Sequence, residues 1–267
     1  TCSDTYKGPS IGSEPENQVL MVLTAAERFG KVLDIHSSGQ ETLWSYNCAT
    51  HPWEVFMQAT AIVLSQASGY GNANRKPSAE GEHYEWQFQR GAFAHLQEIG
   101  TAFQPTFASA QAEAAAVYGA VFSMLETPIH FTGHVTDACS GAALEATVVF
   151  QGVGFPYTST FTSGGAFGRY DVHPPAGSYT VDFSAAGYLA QSIPVTIVNG
   201  STTTLDVSLV PSGPVAVNYC TAGTSAAGCQ ATLSATGIPS ATAASGFVVM
   251  ASGVEGQKDG LFFFGTN

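Results

Sequence analysis

The hydrophobic period changes once along this chain, near Thr127, and that change restricts the architecture more than any other feature. Upstream, apolar residues recur at helical spacing, with short apolar runs between the helical stretches. Downstream, they fall in short β-rich runs cut by Gly, Pro and Asn. A pattern of helical period does not settle as a strand, nor the reverse. The chain therefore divides into a section that layers helix on sheet and a section that layers sheet on sheet.

In the upstream section, Ser13 and Glu16 form an S-x-x-E capping pattern ahead of Val19, Val22, Leu23 and Ala26, and Gly30 is the stop signal. Val32, Leu33 and Ile35 make a short strand that finishes on His36. A second helix is predicted from Pro52 to Ala67, with Val55, Phe56, Ala59, Ile62 and Val63 as its apolar positions and Gly69 beyond it. A polar loop from Gly69 to Gly81, a strand near Phe93 to Ile99 and an alanine-rich helix from about Ser109 to Glu126 complete an α/β grammar. From Pro128 to about Pro211 seven β-rich runs follow one another, the spacing of a β-sandwich. PSGP at Pro211 to Pro214 reads as a linker, and residues 215–267, with short Ser/Thr/Ala-rich strands and the Cys220–Cys229 loop, as the start of a further β module. The predicted organisation is thus an α/β portion over 1–127, a β-sandwich over 128–210 and an incomplete β module over 215–267.

Composition narrows the function classes. The net charge is −12, with 8 Lys+Arg spread along 267 residues. Phosphate backbones are held by clustered Lys and Arg, so nucleic acid is not an expected partner. No stretch approaches the roughly 18 apolar residues of a membrane span. Five cysteines are present, none in C-x-x-C spacing, which argues against a zinc finger. Cys220 and Cys229 bracket a turn-rich loop and are the predicted disulfide, expected in an oxidising, secreted or cell-surface setting. The two ends, TCSDTYKGPS and GLFFFGTN, read as cuts through a longer polypeptide.

His36 is the first candidate for chemistry, because strand ends in α/β sheets are where reacting groups tend to sit. The plain alternative is a hydrogen-bonded rim histidine. Glu98 sits in HLQEIGTAFQP, on the strand near Phe93 to Ile99, and a carboxylate on an apolar strand is desolvated at a cost of several kcal/mol unless something compensates it. Either an ion pair or a nearby metal ion would do so. Two H-x-x-E patterns, His51 with Glu54 and His95 with Glu98, are read as coincidences. On a strand His95 and Glu98 are an odd number of steps apart and face opposite sides. Ser37 and Ser38 follow His36 without a G-x-S-x-G elbow, so a serine hydrolase is discounted. Tyr157 and Tyr188 permit carbohydrate binding by the β modules, but nothing demands it, and they are read as ordinary sandwich-core or rim residues.

These residues in this order resemble the zinc carboxypeptidases of the carboxypeptidase A type. TCSDTYKGPSIGSEPENQVL is similar to the stretch before that family's last zinc ligand, KVLDIHSSGQETLWSY to the strand that carries it, and GEHYEWQFQRGAFAHLQEIGTAFQP to the segment ending in its catalytic glutamate. GHVTDACSGAALEATVVF with GRYDVHPPAGSYTVDFSAAGY is similar to the transthyretin-like regulatory domain of secreted bacterial members. The resemblance covers residues 1 to about 210. It implies zinc as cofactor, His36 as a zinc ligand and Glu98 as general base. It places Tyr84 where preference for the substrate's last residue is set, with Leu43 and Leu96 on the walls of that pocket. It also implies that two further zinc ligands, the groups that clamp the substrate carboxylate and the disulfide partner of Cys2 lie ahead of Thr1. Tyr70 aligns poorly with the family's mobile tyrosine. The expected activity is removal of C-terminal amino acids from peptides, with peptide or protein C-termini and the upstream segment of the same polypeptide as partners and the isolated chain inactive. The alternative is a non-catalytic secreted surface or assembly protein derived from the same fold.

Overall fold

The structure, a computed structural model, describes residues 9–10, 12–78, 81–157, 161–212, 222–237 and 246–256. By its internal contacts the chain forms two units, Thr1–Val210 and Pro211–Asn267.

Helix α1 (Pro15–Glu27) opens the first unit. Proline is pre-set for the first helical position, and here it moves the cap to Glu14. The expected Ser13–Glu16 capping box is therefore not formed: the Ser13 hydroxyl donates to the Glu14 carboxylate instead. The helix stops at Arg28, whose left-handed backbone (φ 53°) returns its N–H to the Thr24 carbonyl, two residues before Gly30. Its apolar face stays in solvent, with Val19 65% and Val22 70% exposed, while the buried residue of the helix is Thr24.

Four strands make a mixed sheet: β1 (Lys31–His36), β2 (Glu41–Leu43), β3 (Asn74–Arg75) and β4 (Phe93–Glu98), in the order β1-β4-β2-β3. β1 runs parallel to β4, and β2 antiparallel to it. Side chains alternate across the sheet, and its two faces have different covers. Helices α2 (Glu54–Ala67) and α4 (Phe107–Glu126) lie on one. There Leu64, Phe93, Ala120 and Met124 pack together, and Gln97 donates to Ser68. The helices approach so closely that a Cβ on Gly119 would stand 1.9 Å from the Ala67 carbonyl oxygen. The short helix α3 (His83–Gln89) covers the other face, where Leu43, Tyr84, Phe88, Ala94 and Leu96 share one core. The sequence reading did not anticipate β2 or α3.

Past α4 the chain enters eight short strands, β5 (Phe131–Asp137), β6 (Thr147–Phe150), β7 (Phe161–Thr162), β8 (Arg169–Val172), β9 (Gly177–Ser184), β10 (Gln191–Ile197), β11 (Thr203–Thr204) and β12 (Val207–Leu209). One sheet has the order β10-β9-β6-β7, and the other β11-β5-β12 with β8 on β5. Their inner faces interdigitate: the Phe131 and Phe150 rings lie 5.9 Å apart, and those of Tyr170 and Phe183 5.4 Å. Burial of these aromatics supplies most of what holds a two-sheet core together, about 2 kcal/mol for each ring-sized side chain.

The sandwich packs against the end of the mixed sheet where β1 and β4 begin. His173 bonds the Gly30 carbonyl through Nε2 at 3.0 Å, the ring of Trp53 meets those of Phe150, Phe155 and Phe161, and that of Phe93 lies 5.2 Å from His173. His36 and Glu98 stand at the far end of the same strands.

In the second unit β13 (Thr232–Thr236) pairs antiparallel with β14 (Val248–Ser252). The predicted Cys220–Cys229 disulfide is corrected here. Cys229 carries a free thiol, and Cys220 lies outside the described residues. The turn is closed by the Thr224–Gln230 bridge and by hydrogen bonds between Ser225 and Cys229, so its register sets Ser225 opposite Cys229.

Candidate functional site

Parallel pairing of β1 with β4 runs Lys31–Phe93 through His36–Glu98, residue for residue. Neighbouring strands lie about 4.8 Å apart, and residues level across a parallel pair point to the same face. His36 and Glu98 therefore leave adjacent strand ends side by side. The face is the one under α3, since Asp34 bonds His83 Nδ1 at 2.9 Å and Leu96 packs in the core with Tyr84. The pairing is locked just beyond the strands, where the Ile99 N–H donates to the His36 carbonyl at 2.8 Å and the Gly39 N–H to the Gly100 carbonyl at 3.0 Å. Gly39 has to be small: a Cβ there would sit 2.9 Å from both Glu98 Cβ and Glu41 Oε1.

The rim is acidic. Glu41 pairs across the strands with Glu98 and is neutralised by Arg75, whose Nε lies 2.8 Å away. Glu98 has no such partner: its Oε2 is buried and accepts no hydrogen bond among the described residues. The same holds for Oε2 of Glu82, the residue that caps α3. Burial pushes the Glu82 carboxyl above the usual carboxylate range, His36 draws it back, and Glu98 raises it again. Glu82 thus feels the charge of both candidates. The sequence reading passed over Glu82, because an acidic residue opening a short helix looks like an ordinary solvated cap.

The other sequence candidates separate cleanly. His95 is buried on the opposite face from Glu98, its Nδ1 toward the Leu43 carbonyl at 3.2 Å and its Nε2 toward the Thr60 hydroxyl at 2.9 Å. Burial lowers its pKa to about 4, which makes it a neutral core residue. His51 is likewise buried, among Tyr46, Trp53, Phe88 and Phe155, and Glu54 pairs with Lys76. Leu43 and Leu96 are partners across β2 and β4, and Tyr84 lies over them; at 2%, 0% and 0% exposed they form a closed floor below the rim and present no open wall. The Tyr84 hydroxyl lies near that of Ser45 without closing a hydrogen bond, and burial raises its pKa. Tyr70 is engaged elsewhere, its hydroxyl donating to Glu113 of α4. Tyr188 donates to Asp137 at 2.7 Å, the bond expected of a sandwich-rim residue.

An α/β layer thus carries an imidazole and a carboxylate at level strand ends and is followed by a β-sandwich. Residues 1–127 match the family described as zinc carboxypeptidase, and residues 130–210 the carboxypeptidase regulatory-like domain. Residues 1–127 are thus similar to zinc carboxypeptidases, and residues 130–210 to the regulatory-like domain of carboxypeptidases. No curated protein matches it in sequence. Among solved structures it is similar to a putative membrane-associated protein of unknown function from Bacteroides fragilis, at 24% identity and TM-score 0.23 over 32% of this chain and 28% of that one. A putative carbohydrate binding protein from Bacteroides uniformis is similar at 17% identity and TM-score 0.23, over 39% of this chain and 50% of that one. The chain thus spans half or less of each.

Zinc, which the family name implies, needs about three protein ligands in a catalytic site. Among the described residues no three His, Cys, Asp or Glu side chains converge closely enough to hold a metal ion. His36 offers one ligand, and the bare oxygens of Glu98 and Glu82 leave the rim short of positive charge. The described residues by themselves do not fit a zinc ion. No helix among them is long and apolar enough to cross a membrane.

Proposed function

We propose that His36 and Glu98 are the part of a zinc carboxypeptidase site that this chain contributes, and that the whole protein, secreted or at the cell surface, removes C-terminal amino acids from peptides. The observation that carries this is the level pairing of His36 with Glu98 on the face beneath α3. In this reading residues 1–127 are the C-terminal part of the peptidase domain, residues 128–210 a transthyretin-like sandwich, and residues 215–267 a further β module. His36 supplies one imidazole, and polypeptide encoded ahead of Thr1 supplies the other zinc ligands and the carboxylate clamp. A zinc ion held by His36 together with those upstream ligands would supply Lewis acidity. The work of Glu98 is to accept a proton from the attacking water and return it to the leaving amine, for which its bare Oε2 is available. Leu43, Leu96 and Tyr84 support the pocket from below.

Two surfaces support an upstream partner. β1 is an edge strand with Ile35 47% exposed, and α1 presents Val19, Val22 and Leu23 to solvent. An edge strand and an apolar helix face are the features a further layer of the same domain would cover.

The test is metal analysis and release of C-terminal amino acids by the protein extended through the polypeptide encoded ahead of Thr1. Stoichiometric zinc with release that Glu98→Gln abolishes while zinc is retained supports the proposal. A second reading, a non-catalytic assembly protein, is favoured by the lack of a three-donor cluster among the described residues. Absence of both zinc and release from the extended protein would establish it.

A further inference from the structure

The chain has four arginines, and three of them, Arg28, Arg90 and Arg169, line a single cavity of about 40 Å³ at the seam between the α/β layer and the sandwich. We propose that this cavity is a binding site for a small oxyanion, a phosphate, sulfate or carboxylate group. Such convergence is not expected of a chain with net charge −12 unless negative charge offsets it. One carboxylate, Asp171, lines the cavity. It is already occupied: one oxygen receives the Arg169 guanidinium and the other the Thr132 hydroxyl, at 2.6 Å. Arg28 and Arg90 make no ion pair with any described residue. Arg28 donates to the carbonyl and hydroxyl of Thr162, and Arg90 stacks on the Trp86 ring at 4.3 Å. Stacking holds a guanidinium by its face and leaves its edge, with its N–H groups, for a planar acceptor.

The fold prepares the site from both sides of the seam. The left-handed turn at Arg28 ends α1 and sends its side chain across to the sandwich. It lies on a glycine shelf, where a Cβ at Gly164 would stand 2.8 Å from Arg28 Nη1. Burial works against the Arg28 charge and Arg90 adds repulsion, with Glu145 and Asp171 opposing both. A single water needs about 10–15 Å³ of such space, so the cavity has room for one small oxyanion or a few waters. A ligand there would touch α1, the end of α3 and β8 together, and so would clamp the sandwich to the α/β layer. This inference does not depend on the peptidase reading.

Thermal unfolding tests it at pH 7, with inorganic phosphate, sulfate or acetate compared with chloride at equal ionic strength. A ligand that binds only the folded state raises the midpoint, by about 4 °C for about 20 mM oxyanion at millimolar affinity. We expect that rise from at least one oxyanion, with phosphate and acetate separating a phosphate group from a carboxylate as the preferred ligand, and a single site by calorimetric titration. Arg90→Gln should lose the rise and Arg90→Lys should keep part of it, while the midpoint in chloride stays near that of the parent. Arg169→Gln provides a second check that leaves the Arg28 tether in place. Equal midpoints in all four salts, or the full rise retained in Arg90→Gln, would overturn the proposal.

Discussion

Strands β1 and β4 have two ends, and the chain equips them with the same residue types to opposite effect. Where the strands begin, His95, His130 and His173 are buried, and the rings of Phe93 and Trp53 fit between sheet and sandwich. His95 and His173 are held neutral, at about 4 and about 3, chiefly by burial. Where the strands finish, His36 is exposed, and Glu98 and Glu82 keep buried oxygens without donors among the described residues. The packed end buries neutral imidazoles, and its one bare histidine nitrogen among the described residues, Nδ1 of His173, carries no charge. The open end leaves a charge deficit, and unsatisfied groups of that kind are retained where they serve binding or catalysis.

The largest expected effect belongs to the packed end. Trp53 is 4% exposed and meets three phenylalanine rings of the sandwich side. Trp53→Ala should cost about 3–5 kcal/mol of stability by denaturant titration, the range for truncating a buried aromatic. A loss below about 1 kcal/mol would mean that the seam is not packed in solution, and the contrast between the two ends would fail.

Acid comes next. An unfolded histidine binds its proton near pH 6.5, whereas folded His95 does so only near pH 4. The unfolded state thus holds more protons throughout that interval, so stability falls as pH drops from 6.5 toward 4 and is unaffected by His95 above it. The expected loss from His95 is on the order of 3 kcal/mol, and His173 adds to it down to about pH 3. Chemical denaturation at pH 7 and pH 4.5 measures it, and His95→Gln should flatten the difference. An unchanged slope in that variant would remove His95 from the packed-end account.

Much of this was legible from spacing. β1, α2, β4 and α4 fall within a few residues of their predicted positions, because each is long enough to show its period. β2, three residues long, and α3, seven, are too short to show one. The apolar face of α1 was read correctly as a face, but periodicity reports a surface able to be buried and not what buries it. The strand-end positions of His36 and Glu98 were visible, and the opposed faces of His95 and Glu98 followed from alternation alone. What no spacing discloses is register: the level pairing of β1 with β4, the approach of Glu82, and the meeting of three arginines that look scattered along the chain.

At the open end the sign should reverse. Glu98 stands beside Glu41 and Glu82 with a buried oxygen that nothing described satisfies. Glu98→Gln removes a charge from that group and supplies N–H donors, so it should raise stability by about 1 kcal/mol while leaving the fold intact. A substitution that stabilises the fold and abolishes activity in the extended protein is the pattern of a group retained for function. Destabilisation by more than about 1 kcal/mol would instead make Glu98 a structural residue like those at the packed end.

The smallest effect asks whether the open end has a cover. In the chain of residues 1–267, Val22 lies in solvent on α1, so Val22→Ser should change stability by no more than about 0.5 kcal/mol, the usual scale for an exposed site. In the protein extended ahead of Thr1 the same substitution should cost about 1–2 kcal/mol if the added polypeptide packs over α1, since a buried valine side chain contributes about that much. The difference between the two chains isolates the covering layer from everything Val22 does locally. Equal values in both would show that the upstream polypeptide does not cover this helix, and the completion of the rim would then have to come from the β1 edge alone.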